Sequence, residues 1–457
     1  MALSRFKQPY FGLKGGWLTF WITVACATDM SLFGYDQGVF SGVVISDDYL
    51  KVHNLEGDDK TDLSAIVTSI YAIGCTVGAI VAFSIGEGMG RKKSIIFGTT
   101  IMTIGAILQA SSFSVAQMIV GRIVSGWLIA HGREKEAAQI LADLDNKSIN
   151  DPFIIAERKE IIYSVEYERK NAIRWRDILR GRTQQGTKTI RRLLLGAGTQ
   201  ALQQFGGINI MSYYLPTLLI NSVGLEDSMA RLIAACASVA YLFASGIAAP
   251  MVERFGRRIM MIVSTAIQFF CFLMMTILLY YNEKPGYPHS QEVAKASVVF
   301  FFIYYMGFGL GMLGIPWLYP TEINSLPMRT KGAAVATATD WLTNFIVVEI
   351  TPAGSKNLGW KFYIIFTVLN AAFMPILYLF YPETSDRTLE DLDAFYRDNP
   401  PLIVVGHKDS TSRRRPAKYA EWQNRDIEEA AVATGAMRRD SDKAVPETAH
   451  NETEKQS

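Results

Sequence analysis

Asp36 and Arg122 are an acid and a base set inside long apolar runs, at Phe33-Gly34-Tyr35-Asp36-Gln37-Gly38 and Val120-Gly121-Arg122-Ile123-Val124. An ionised side chain at mid-bilayer costs about 2.5–3.5 kcal/mol and must be compensated. Buried together, the two can pair, and a proton can take the place of the arginine on the carboxylate. That is proton-coupling chemistry; a purely structural ion pair is the competing reading. Asp29, on the same run as Asp36, is read as a helix-packing acid rather than a second titrating group.

A second constellation is polar without charge. Gln200, Gln203, Gln204, Gly206-Gly207, Asn209 and Tyr213 interrupt a single apolar span. Paired amides both donate and accept, which suits a neutral polyhydroxylated ligand, and the glycine pair lets the helix deform toward a cavity. Trp317 after Pro316, with Asp340, Trp341 and Asn344, adds stacking surface and further polar contacts. Amides that only glue helices together contribute about 0.6 kcal/mol per contact. For one residue the glue reading wins; for five polar residues on one span the ligand reading does.

The elements that position these residues are long apolar helices. Runs at 17–43, 63–85, 94–112, 113–130, 192–220, 230–250, 258–281, 295–319, 331–352 and 360–381 are long enough for a hydrocarbon core of about 30 Å. Hydrophobic residues make up 49% and the mean hydropathy is +0.15, high for a chain of 457 residues with a polar tail. Charge is segregated into loops and tail, so the net +2 excludes nothing. Cys26, Cys75, Cys236 and Cys271 all lie in apolar runs and read as small hydrophobes. No cleavable leader is expected, so the first run is retained as a span.

One motif, E-x-x-G-R-basic, occurs twice, from Glu87 to Lys92 and from Glu253 to Arg258. Each copy sits between two apolar runs, the pattern of a parallel internal repeat. Two spans precede and four follow the second copy. The first has two spans before it but only two after it, ahead of a charged segment. The first half is therefore short by a helix pair. Basic loops place Arg91-Lys92-Lys93, residues 131–191 and Arg254 to Arg258 in the cytoplasm, while the acidic loop 46–62 faces out. Both termini are then cytoplasmic. The sequence divides into 1–130 (truncated first half), 131–191 (helical linker, either solvated or a gate bundle), 192–382 (complete second half) and 383–457 (largely disordered cytoplasmic tail).

The chain resembles the sugar porter family of the major facilitator superfamily, particularly fungal hexose and polyol proton symporters. The matching residues are Gly34-Tyr35-Asp36-Gln37-Gly38, Gly90-Arg91-Lys92, Gly121-Arg122 and Gln203-Gln204 through Asn209, then Glu253 to Arg258, Pro316-Trp317, Pro320-Thr321-Glu322, Arg329, Pro382-Glu383-Thr384 and Thr388-Leu389-Glu390. The resemblance implies an all-α polytopic fold with about ten transmembrane helices instead of twelve. It makes Asp36 and Arg122 the proton-coupling pair. Gln203, Gln204, Asn209, Tyr213, Trp317, Asp340 and Trp341 then line the substrate site. Glu87, Arg91, Glu253, Arg257, Glu322 and Arg329 form a cytoplasmic gate network.

Three departures stand out. Gly88 replaces a usual arginine, Asp340 stands where familiar members have asparagine, and Val124-Ser125-Gly126 runs straight into Trp127. The fifth and sixth helices of the family, with the end of the fourth, are missing at that joint. The expected function is sugar or polyol uptake by proton symport with alternating access, at the plasma membrane, in a form that the missing helices are expected to leave inactive. A sensor of the same fold and a non-transporting fragment are the alternatives. No metal cluster, nucleophile elbow or phosphate loop supports an enzyme. No cofactor beyond the proton and no nucleic-acid partner are expected; the partners are the substrate and the bilayer.

Overall fold

The computed structural model describes residues 15–44, 46–55, 57, 60–89, 91–125, 188–413, 415–416 and 418–419. Residues 1–413 form one compact unit and 414–457 another. The 131–191 linker lies outside the described residues up to 187, so its two readings are not addressed.

Among the described residues of the first unit, every long element is a helix. The first half contributes α1 (Gly16–Val43), a short α2 (Asp47–Val52), α3 (Thr61–Met89), α4 (Arg91–Ala110) and α5 (Val115–Ser125). The second half contributes α6 (Thr189–Phe205), α7 (Ile208–Val223), α8 (Asp227–Phe255), α9 (Arg257–Glu283), α10 (Ser290–Gly311), α11 (Ile315–Ile323), α12 (Arg329–Leu358) and α13 (Lys361–Phe380). Among the described residues, six spans are long and apolar enough to cross a membrane. At about 1.5 Å rise per residue, the 20 residues of α13 already cover the hydrocarbon thickness.

Two of the apolar runs are not single helices. The run at 192–220 breaks between α6 and α7, because Gly207 takes φ 94°. A Cβ there would lie 2.6 Å from the ring of Phe272, so only glycine fits. The break frees the Gly206 carbonyl, and the protein satisfies it twice, from the Tyr304 hydroxyl at 2.9 Å and the Asn370 amide at 3.2 Å. The run at 295–319 breaks likewise between α10 and α11. The Gln203 amide donates to the freed carbonyls of Met312 at 2.6 Å and Leu313 at 3.1 Å. Irregular backbone at membrane depth persists only where such partners exist.

The motif repeat is visible in the helices. Glu87 lies in the last turn of α3 and Arg91 opens α4; Glu253 lies in the last turn of α8 and Arg257 opens α9. At the opposite end, α2 covers a small core of Phe40, Val44, Tyr49, Leu55, Val67 and Met118. His53 joins the Tyr49 carbonyl at 3.0 Å and the Ser112 hydroxyl at 2.9 Å, tying that cap to the α4–α5 turn.

The two halves meet most closely where α3 lies along α12. The Ser69 hydroxyl donates to the Glu349 carboxylate, and Tyr71 meets Trp341 edge-on at 6.2 Å.

Part of the segment 383–457, expected from its sequence to be a largely disordered tail, is helical among the described residues. Thr388 and Asp391 form a capping box for α14 (Leu389–Arg397), and α15 (Lys408–Thr411) follows. Arg192 pairs with Asp393 at 2.6 Å, and Arg191 donates to the carbonyls of Pro400 and Pro401 at 3.0 and 2.9 Å. Val404 N–H bonds the Leu379 carbonyl at 2.7 Å. Apolar content is low here, and the segment folds because α6 supplies one arginine, Arg191, to a run of free carbonyls and another, Arg192, to the Asp393 carboxylate. Burial pushes the Tyr396 phenol up to about 12, against the pull of Arg191, Arg192 and Arg387.

Candidate functional site

The broken spans concentrate the polar side chains. Gln204, on the last turn of α6, donates through Nε2 to Asp340 Oδ1 of α12 at 2.6 Å. Its own Oε1 accepts from Asn209 Nδ2, in the first turn of α7. The glycine break makes this possible: it turns the chain so that Gln204 and Asn209 face each other across it. Asp340 is 1% exposed. Three neighbouring positions are buried with an oxygen that accepts no hydrogen bond among the described residues: Gln200 Oε1, Gln203 Oε1 and Asn344 Oδ1. An orphaned buried acceptor costs about 1–3 kcal/mol, which a ligand hydroxyl recovers on binding.

The other expected site residues divide. Tyr213 is buried on α7, next to Tyr214, whose hydroxyl donates to the Val348 carbonyl at 3.3 Å. Trp341 turns toward Tyr71 of α3, at the meeting of the halves. Trp317 is 44% exposed on α11 and is not part of the buried cluster. Gln203 spends its donors on backbone, so only its oxygen remains for a ligand.

Arg122 is fully buried on α5. Its guanidinium lies 3.6 Å from the centre of the Phe40 ring and 5.3 Å from that of Tyr71, and Nη2 donates to the Thr68 carbonyl at 3.1 Å. Phe40 stands one turn beyond Asp36 on α1. The Asp36 side chain lies outside the described set, as do those of Glu87 and Arg91.

At the motif end of the second half, Arg257 binds Glu253 at 2.9 Å and Glu322 at 2.8 Å, and the Thr384 hydroxyl donates to Glu322 at 2.6 Å. This joins α8, α9, α11 and the chain after α13. Arg329, at the start of α12, has Nε and Nη2 buried without a hydrogen-bond partner among the described residues, so it stands apart from this cluster.

Two residues escaped the sequence reading as site members. Glu383 is 1% exposed at the N-terminus of α9, where it accepts from the backbone N–H of Arg257 (2.8 Å), Arg258 (3.2 Å), Thr384 (3.0 Å) and Ser385 (3.0 Å). A carboxylate there is stabilised by the helix dipole and by unpaired N–H groups. Its motif was legible but its role was not. Glu349, bonded to Ser69, carried the signal of an acid inside an apolar span.

Membrane-length helices, broken at the α6–α7 and α10–α11 joints and carrying a charge cluster at one end, are the build of a polytopic transporter of the major facilitator type. The fold matches the inward-open xylose transporter XylE from E. coli, with TM-score 0.60 at 19% identity, covering 82% of this chain and 99% of that one. XylE bound to 6-bromo-6-deoxy-D-glucose gives TM-score 0.62 at 19% identity, over 82% and 98%. The family model described as "Sugar (and other) transporter" matches residues 21–126 and 127–396, and the chain belongs to that family. The MFS-type transporter oryC of Aspergillus oryzae is 54% identical over 515 residues, covering 94% of this chain and 95% of the relative. The sugar transporter STL1 of Saccharomyces cerevisiae is 26% identical over 537 residues, covering 95% and 91%.

Proposed function

We propose that this chain derives from a sugar or polyol carrier that works by proton symport with alternating access. The observation that carries the reading is the cluster at the α6–α7 break. Asp340, Gln204 and Asn209 are linked there, and Gln200, Gln203 and Asn344 present unsatisfied acceptors. Such a set receives hydroxyl donors. The name of the Saccharomyces cerevisiae relative supports the same substrate class. Gln203, Gln204, Asn209, Tyr213 and Asp340 are the binding residues in this reading, with Trp341 supplying aromatic surface and Trp317 outside the cluster. Asp340 adds a carboxyl that an asparagine would not, and favours a ligand rich in donors.

Coupling rests on Asp36 and Arg122. Protonation of the acid frees the arginine, which is held among Phe40, Tyr71 and the Thr68 carbonyl. One proton moving through about 100 mV supplies about 2.3 kcal/mol, and one pH unit adds about 1.4 kcal/mol. The Arg257–Glu322–Glu253 cluster closes the motif end in one state and opens in the other. In this reading that end faces the cytoplasm with both termini, in line with the basic turns, and the plasma membrane is the membrane served.

This form lacks a helix pair between Gly126 and Trp127 and does not complete the cycle. Two findings support the gap. The family match breaks between 126 and 127. The alignment with the Aspergillus oryzae relative spans 515 positions, more than the 457 residues of this chain, so the relative contains residues that this chain lacks. The test is reconstitution into vesicles under an imposed pH gradient, with radiolabelled glucose and xylose. The chain as it stands is expected to accumulate neither. With the relative's segment inserted after Gly126, accumulation is expected to return; sustained accumulation by the uninserted chain would sink the shortened-carrier reading.

A further inference from the structure

The polar cluster at the α6–α7 break is short of donors. Gln203 spends its amide N–H groups on the carbonyls of Met312 and Leu313, Gln204 donates to Asp340, and Asn209 donates to Gln204. Oxygens are left over. Gln200 Oε1, Gln203 Oε1 and Asn344 Oδ1 are buried and accept no hydrogen bond among the described residues. The Asp340 carboxylate has room for about four donors, and among the described residues only the Gln204 amide donates to it.

These acceptors lie along one seam. Gly196 of α6 and Gly332 of α12 both abut Asn324, and eight residues further on Gln204 meets Asp340, so the two helices run side by side in the same direction. Gln200 and Gln204 share one face of α6, and Asp340 and Asn344 share one face of α12. Asn344 then comes level with the first turn of α7, which carries Asn209.

Charge sharpens the imbalance. Asp340 is buried, yet no ion pair among the described residues includes it. A buried carboxylate is strongly disfavoured unless a positive partner reaches it. A hydroxyl brings one donor with two acceptor lone pairs, so a ligand of hydroxyls alone asks for donors that the amides have already committed. An ammonium brings three donors, no acceptor and the missing charge. Its hydrogen bond to a carboxylate is roughly twice as strong as one between neutral groups.

We propose that this site selects a polyhydroxylated ligand carrying a protonated amine, an amino sugar or amino polyol, and that Asp340 is the residue that selects it. This rests on the reading of the α6–α7 break as a sugar or polyol site and adds the cationic nitrogen. The ligand's hydroxyls donate to the orphaned amide oxygens while the ammonium faces Asp340.

The test is calorimetric binding to the purified full chain in lipid nanodiscs, and to the chain with the Aspergillus oryzae relative's segment inserted after Gly126; the inserted chain decides where the two differ. Matched pairs are compared at a pH where the amines are protonated: glucosamine against glucose, and glucamine against sorbitol. N-acetylglucosamine, which keeps the nitrogen without its charge, is the further control. At least one amine is expected to bind roughly ten-fold tighter than its neutral mate. Asp340→Asn keeps the oxygen that Gln204 reaches and is expected to erase that preference while neutral binding persists. Glu292→Gln, 78% exposed at the start of α10, removes the same charge outside the cluster and should leave the preference intact. The matched pairs in the unmutated chain decide the question even where Asp340→Asn lowers the melting temperature. Neutral mates that bind as tightly as the amines overturn the proposal and leave the sugar reading standing. An amine preference that survives in Asp340→Asn overturns it too. Binding of neither class to either chain overturns the sugar reading, and the proposal with it.

Discussion

Gly207→Ala is the most searching single change, because the site depends on the backbone at that residue. Its φ of 94° is a region in which an L-residue pays roughly 1–2 kcal/mol. The new methyl would also lie 2.6 Å and 2.9 Å from two atoms of the Phe272 ring and 3.1 Å from Phe366. Those rings are stacked at 5.4 Å, and Phe272 is fully buried, so neither has room to retreat. Overpacking of this kind costs about 1–3 kcal/mol. The sum, about 2–5 kcal/mol, is a large fraction of a typical stability of 5–15 kcal/mol. The assay is thermal unfolding of the purified protein in detergent, with Phe272→Leu added to the same chain. Relief of the ring clash should recover the packing part and leave the conformational part. Gly206→Ala is the comparator: its φ of −64° is ordinary and its closest neighbour is the Gln268 side chain, so it should cost less. If Gly207→Ala melts with the parent chain, the break is not held by glycine at all, and the account of how Gln204 and Asn209 come to face each other fails.

Other outcomes follow from the same geometry. In the chain with its helix pair restored, Asp36→Asn should abolish accumulation under a pH gradient while leaving sugar binding measurable by calorimetry; continued accumulation would remove Asp36 from coupling. Asn209→Ala and Gln203→Ala should each weaken sugar binding in that chain by about 1–3 kcal/mol, since a buried hydroxyl loses its partner; unchanged affinity in both returns the amides to helix glue. Glu383→Ala strips the shared acceptor from four backbone N–H groups and should lower the melting temperature more than Glu253→Ala, whose side chain is 70% exposed. The Tyr396 phenol ionises at about 12 when docked and about 10 when free. Undocking of α14 is therefore favoured as pH rises above about 10, and the effect is complete past about 12. Limited proteolysis of residues 398–413 across that window should show the onset, and Tyr396→Phe should delay it.

The sequence by itself determined the class of this protein. Apolar runs of bilayer length leave helix as the permitted backbone, because no water is present to satisfy unpaired N–H and C=O groups. The twice-written motif located the turns that end α3 and α8, and the unequal number of apolar runs after each copy is what the shortened-carrier proposal rests on. Gln203, Gln204, Asn209 and Asp340 stood out because polar groups inside such runs need partners. Which partner each finds depends on helices distant in the chain, and only the tertiary structure decided that. Gln203 turns its donors to the carbonyls freed at the α10–α11 break, while Gln204 reaches Asp340, because the glycine break and the packing of α12 set their directions. Residues 389–413 looked like polar tail, since their stabilisation comes from Arg191 and Arg192, far away in sequence.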